Sequence, residues 1–233
     1  MNIKGKKARD NNIYTLSVQY KSMMKAIIFD FDGVIADTER MNFNELNKLL
    51  AYEGLRIPND EFADYIGKKS GAFLRGRFSE LTEEKIKKIV TKRRDIVLSN
   101  TSSIKLVPGV RELLAYLKNE DYKIAICTGS RKQYVMEILE HNALTEFFNI
   151  IVSGEDFSSS KPNPEGFLLA TERIGIPKEN CIIIEDSPAG VQAANNAGIK
   201  SYALGTYFQK DELSAAEKTF SDHLDLLNHL KEN

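Results

Sequence analysis

Tryptophan is absent from this 233-residue chain, and cysteine occurs only twice. Two cysteines at this length exclude a fold stapled by disulfides. Cys127 and Cys181 each border a short apolar run, "KIAIC" and "CIIIE", where a thiol serves as a small buried hydrophobe. An excess of either charge is also missing: 32 basic and 33 acidic side chains leave a net charge of -1. That balance gives no footing for bulk nucleic-acid binding, which needs a basic surface. No apolar run approaches the ~20 residues that span a bilayer, so a membrane protein is not expected. The opening "MNIKGKKARDNN" is basic and polar and lacks the apolar centre of a secretory signal. Residues 1–23 therefore read as a weakly ordered extension, and the expected location is cytoplasmic, with a monomer as the default state.

What the chain does have is 42% hydrophobic and 28% charged residues, enough for a large core with a smaller companion unit. Five short apolar runs stand out: "KAIIFDF", "YKIAICT", "FNIIVSG", "CIIIED" and "IKSYALG". The later ones alternate with helical patterns. "GVRELLAYLKNE" places Val110, Leu113, Leu114 and Leu117 on one face, and "RKQYVMEILEHN" does so with Tyr134, Val135, Ile138 and Leu139. "NPEGFLLATERIG" offers Phe167, Leu168 and Ile174, then stops at Gly175 ahead of Pro177. Strands that are apolar throughout, separated by helices, predict a doubly wound α/β fold whose parallel sheet is covered on both faces.

One interval breaks that rhythm. Residues 38–107 hold no good strand but two helical patterns, "RMNFNELNKLLAYEG", stopping at Gly54, and "LTEEKIKKIVTKRRDIVLSN". Thr82 is a fitting N-cap for the second, whose apolar stripe is Ile86, Ile89, Val90 and Val97. Its "KIKKIVTKRR" charges read as a solvated face. The expected organisation is a catalytic core from residues 24–37 and 108–233, with a helical cap inserted at 38–107.

Ligands of open parallel sheets bind beyond the carboxyl ends of the strands. After the first run come Asp30 and Asp32; after the second, Thr128, Gly129 and Ser130; after the third, Lys161 lies a little further on; after the fourth come Glu185 and Asp186. Right-handed crossovers would gather these groups at one edge. Clustered carboxylates repel unless a cation sits among them, and Mg²⁺ accepts one or two carboxylates, waters and a phosphate oxygen. Phosphoryl transfer fits this inventory, with a carboxylate as nucleophile and a second one moving the proton. Two roles explain two acids only two residues apart. His141, His223 and His229 have no ligand-like spacing and read as structural.

The segments "DFDGVIADTE", "ICTGS", "SKPNPEGF" and "IIEDSPAGVQAANNAGI" resemble, in order, the four motifs of the haloacid dehalogenase-like phosphatases, in the β-phosphoglucomutase and sugar-phosphate phosphatase branch. The inserted helices resemble that family's small α-helical cap. The resemblance implies that Asp30 is the nucleophile and a metal ligand, and that Asp32 is the acid/base and a ligand through its backbone carbonyl. It implies further that Thr128, Gly129 and Lys161 hold the phosphoryl group, and that Asp186, with Glu185, completes a Mg²⁺ site. The implied activity is hydrolysis of a small phosphorylated metabolite, a sugar phosphate by preference. Asn42 stands where the mutase branch commonly has a histidine, which weakens the alternative of a hexose-phosphate mutase. The cap loop "IGKKSGAF" lacks the arginine expected in mutases, and Lys68 and Lys69 are its stand-ins for substrate reading. A non-catalytic binding protein on this fold would have lost Asp30, Asp32 or Lys161, and all three are present.

Overall fold

The computed structural model describes residues 25–66 and 70–232. The expected extension at 1–23 and the candidate residues Lys68 and Lys69 lie outside the described residues. The apolar runs become six parallel strands: β1 (Ala26–Phe29), β2 (Lys123–Cys127), β3 (Ile150–Val152), β4 (Cys181–Glu185), β5 (Lys200–Leu204) and β6 (Lys218–Phe220). Their order is β3-β2-β1-β4-β5-β6, so the chain reverses direction across the sheet between β1 and β4. In register, Phe29 stands beside Ile126 on one side and Ile184 on the other. The residues that follow these three positions therefore leave the sheet at one level.

β1 is fully buried because helices cover both faces of the sheet. Ile27 and Phe29 point into a cluster formed with α5 (Val110–Asn119), α6 (Lys132–His141) and α9 (His223–Glu232). Ala26 and Ile28 point the other way, toward α7 (Glu165–Ile174) and α8 (Pro188–Ala197). This alternation is the period of two that a strand imposes on its side chains. Both cysteines are free and buried in the second cluster.

Residues between β1 and α5 are helical, as α1 (Thr38–Ala51), α2 (Phe62–Tyr65), α3 (Ser70–Arg77) and α4 (Glu83–Leu98). They surround their own apolar cluster, which includes Phe43, Leu46, Leu50, Phe62, Tyr65, Leu74, Ile86 and Ile89. Thr82 caps α4, its hydroxyl accepting from the Lys85 N–H at 3.3 Å. Two chain segments join this insertion to the sheet. The Asp37 N–H donates to Lys105 O at 2.8 Å, and the Val107 N–H to Ile35 O at 2.9 Å.

Four details differ from the sequence reading. β6 is a sixth strand, three residues long, with an exposed lysine at its start. α1 ends at Ala51, and a turn carries the chain on to Gly54, whose positive φ of 72° suits a glycine. α2 and α3 are additional short helices. Leu168 is exposed, because Phe167 and Ala170 supply the buried side of α7.

Candidate active site

Three strand ends and one loop build the site. The Asp30 N–H donates to Ile184 O at 2.9 Å, continuing the β1–β4 ladder, so the Asp30 carboxyl emerges at the sheet's edge. Glu185 and Asp186 leave β4 beside it. The chain enters α7 through Lys161, whose Nζ donates to both Asp30 Oδ1 and Glu185 Oε1. That ammonium also lies 4.9 Å from the centre of the Phe167 ring.

Glu185 is completely buried. Its second oxygen, Oε2, accepts from the Asp186 N–H at 3.0 Å, the Ser187 N–H at 3.0 Å and the Ser187 hydroxyl at 2.9 Å. A Cβ on Gly190 would stand 1.8 Å from Glu185 Oε1, so the glycine in α8 makes room for this carboxylate. The sequence reading placed Glu185 among the metal ligands. Both of its oxygens accept from protein donors, so the side chain anchors Lys161 and the loop after β4.

Asp32 lies on the open side of the same loop. Oδ1 accepts from the Thr38 hydroxyl at 2.6 Å. Oδ2 accepts from the Ser130 hydroxyl at 2.7 Å and the Thr128 hydroxyl at 3.2 Å. Thr128 Oγ1 in turn accepts from the Ser130 N–H at 3.0 Å, which closes the turn after β2. Gly33 follows with φ of 81°, and a Cβ there would meet Asp186 Oδ2 at 2.0 Å. Glycine thus lets the Asp32–Gly33 backbone approach the Asp186 carboxylate.

Electrostatics set these acids apart. Burial pushes the Asp30 carboxyl up to about 8; Lys161 opposes this, and Glu185 and Asp32 add to it. Burial, then Glu185 and Asp30, also raises Asp186 well above the usual carboxylate range. Burial alone would lower Lys161, but the charges of Asp30 and Glu185 outweigh it and keep the ammonium protonated. When Asp30, Asp186 and Glu185 are all ionised, the one ammonium leaves two negative charges unmatched, the charge of one divalent cation. Among the described residues no three His, Cys, Asp or Glu side chains form a ready-made metal cage. The Asp30 and Asp186 carboxylates offer the oxygen donors that a hard cation takes. The residues present therefore fit Mg²⁺.

A 230 Å³ cleft opens over Asp32, lined by Asn42, Arg93, Gly129, Ser130, Arg131 and Tyr134 among others. Asn42 lines the same cleft as Asp32. Ser130, named from sequence among the groups that follow the second strand, holds Asp32. Two further residues here, Glu39 and Arg93, were not singled out from sequence. Glu39 lies one helical turn before Asn42, and burial followed by the nearby Asp32 charge raises it to about 7, against Arg93. Arg93 corrects the reading of "KIKKIVTKRR" as wholly solvated. It is half-buried, its Nη1 donates to the Tyr65 hydroxyl at 2.6 Å, and its Nε is buried without a partner among the described residues. The signal was present: Ile89, Arg93 and Val97 fall at i, i+4 and i+8, on the apolar stripe of α4. His223 is structural as expected, its Nε2–H donating to Val34 O at 2.6 Å.

Comparison with known proteins agrees with this geometry. Residues 27–204 match the haloacid dehalogenase-like hydrolase family. A phosphorylated carbohydrates phosphatase of Thermotoga maritima is 33% identical over 181 residues, covering 76% of this chain and 83% of that protein. A β-phosphoglucomutase of Bacillus subtilis is 32% identical over 193 residues, covering 78% and 84%. The crystal structure of CbbY from Rhodobacter sphaeroides in complex with phosphate has a TM-score of 0.69 at 25% identity, covering 88% of this chain and 96% of that one. Motif order, sheet topology and edge chemistry converge, and the chain belongs to the haloacid dehalogenase-like hydrolases.

Proposed function

We propose that this protein is a Mg²⁺-dependent phosphatase of a small phosphorylated metabolite, a sugar phosphate by preference. The observation that carries this reading is the convergence of Asp30, Lys161 and Asp186 at the carboxyl edge of β1 and β4. Asp30 attacks phosphorus through a carboxylate oxygen, and the bond from phosphorus to the leaving oxygen breaks. Asp32 gives that oxygen its proton. Asp32 then takes a proton from the water that splits the aspartyl-phosphate and frees inorganic phosphate. Thr38, Thr128 and Ser130 fix the Asp32 carboxyl for both transfers. Lys161, anchored by Glu185, neutralises phosphoryl oxygens, and the Thr128–Gly129 turn seats them. Asp30, Asp186 and the Asp32 carbonyl would hold Mg²⁺, which supplies further charge neutralisation at the phosphoryl group.

The T. maritima and B. subtilis relatives support sugar phosphates as the substrate class and make a mutase the second reading. Asn42, in place of an imidazole over Asp32, favours hydrolysis. The test supplies hexose 1-phosphates and 6-phosphates with Mg²⁺ and measures both free phosphate and the isomeric sugar phosphate. Stoichiometric free phosphate is the expected result; isomer without free phosphate would replace the phosphatase reading with the mutase one.

A further inference from the structure

Tyr207 belongs to the loop between β5 and β6, yet it packs against the inserted helices. Its ring meets Phe62, at the start of α2, edge-on, with centroids 5.5 Å apart and planes at 83°. Tyr207 and its neighbour Phe208 join the apolar cluster of the insertion from outside. The Tyr207 hydroxyl donates to Asp37 Oδ1, in the first of the two connecting segments. That same oxygen accepts from the Arg40 N–H at 3.3 Å and so caps α1. The Arg40 guanidinium lies 3.8 Å from the centre of the Phe62 ring. One aromatic side chain of the sheet's own loop thus touches the hinge and α2, and it lies against Gly33 beside Asp186.

We propose that Tyr207 is a positioning residue that clamps the inserted helices onto the sheet edge, its ring seated on Phe62 and its hydroxyl held by Asp37 at the hinge. The cleft over Asp32 is lined from both sides, by Arg93 of α4 and by Ser130 and Tyr134 of the sheet side. Its shape therefore depends on how the two parts seat against one another. The connecting segments, the packing of Val97 into the sheet-side cluster and contacts of this kind set that seating. Tyr207 loses ring contact and hydroxyl bond together when the insertion swings away, which makes it a two-part latch. Burial, followed by the bond to Asp37, raises the phenol, so it remains a donor across the working pH range.

The kinetic consequence rests on the reading of the cleft as the reacting site, but the seating itself is measurable without turnover. Both native cysteines are buried, so cysteines introduced at exposed Tyr52 on the insertion and exposed Glu172 on α7 take spin labels selectively. In otherwise unchanged protein, the electron–electron distance distribution has one main population. Tyr207→Phe keeps the ring on Phe62, and so the fold, while deleting the hydroxyl bond. It raises the ratio of displaced to seated insertion by roughly fivefold, the size of a partly exposed hydrogen bond to a carboxylate. Asp37→Asn keeps an acceptor oxygen but loses its charge, so it gives a smaller shift in the same direction, and the double variant gives no more than Tyr207→Phe alone. Unchanged distributions in Tyr207→Phe, or additive shifts in the double variant, would overturn the latch. Absence of phosphatase activity would instead overturn the reaction assigned to the site and leave the distances unaffected.

Discussion

Glu185 shows how one side chain's role depends on where its oxygens go. Its carboxylate accepts three donors on one oxygen and the Lys161 ammonium on the other, with no exposure to solvent. Glu185→Ala leaves the half-buried Lys161 ammonium with Asp30 alone and strands three donors of the loop after β4. We expect a loss of roughly 3–5 kcal/mol in urea unfolding, the usual cost of removing one partner from a buried ion pair. Glu185→Gln keeps the shape and the acceptor for the loop, and it should fall between the wild type and Glu185→Ala. In the sequence, Glu185 and Asp186 are two adjacent acids at the end of a strand, and nothing there tells their surroundings apart. The difference comes from packing: Gly190 leaves the space that Glu185 fills, while Gly33 leaves the space beside Asp186. Asp30 and Asp32 were legible because they directly follow β1, whereas Lys161 lies well past the end of β3 and was legible only through the order of the four motifs. Arg93 was not, because a charged residue on an apolar stripe reads as one of several solvated neighbours until the facing surface is known.

Among the elements, α8 carries the most specific steric requirement. Alanine in place of glycine inside a helix ordinarily stabilises by about 1 kcal/mol. At Gly190 the added Cβ would overlap the Glu185 carboxylate, with its Cδ 1.9 Å away and backbone holding both sides. Gly190→Ala should therefore destabilise by about 1–3 kcal/mol net, the range of overpacked cores. It should also lower kcat by displacing the anchor of Lys161; thermal melts and steady-state rates check both. Five of the six strands and the large helices were legible because each carries a clear apolar run or period, with caps and stops such as Thr82 and Gly175. β6 was not: its three residues, "KTF", gain strand identity only from pairing with Tyr202, Ala203 and Leu204. α2 and α3 are likewise too short for a helical period to register.

At the scale of the whole molecule, the unmatched charge links metal, pH and stability. The folded-state pKa of Asp30 is about 8, above its ordinary 3.8, and Asp186 is raised too. Stability from these groups is fully present below the ordinary value and is lost as pH rises through the folded one. Metal-free protein is thus penalised most near and above about pH 8, where a cation relieves the repulsion and no longer competes with protons. The rise in Tm produced by excess Mg²⁺ should be larger at about pH 8.5 than at about pH 6. Buried His223 works in the opposite sense. Burial lowers its pKa below the ordinary 6.5, so acid costs stability as the ring is forced to charge. Comparing samples with and without Mg²⁺ at one pH removes that contribution. A Mg²⁺ shift that is equal at both pH values, or larger in acid, would contradict the pairing of Asp30 and Asp186 around one ion.

The central claim is that Asp30 takes the phosphoryl group. Its most direct test is rapid acid quenching during turnover of a hexose phosphate, followed by mass spectrometry of the peptide that contains Asp30. The account predicts that this peptide carries one phosphoryl group in the wild-type protein and none in Asp30→Asn, which should also lose turnover by at least about 10³-fold. Full turnover with Asp30 never phosphorylated, or Asp30→Asn turning over at the wild-type rate, would contradict it.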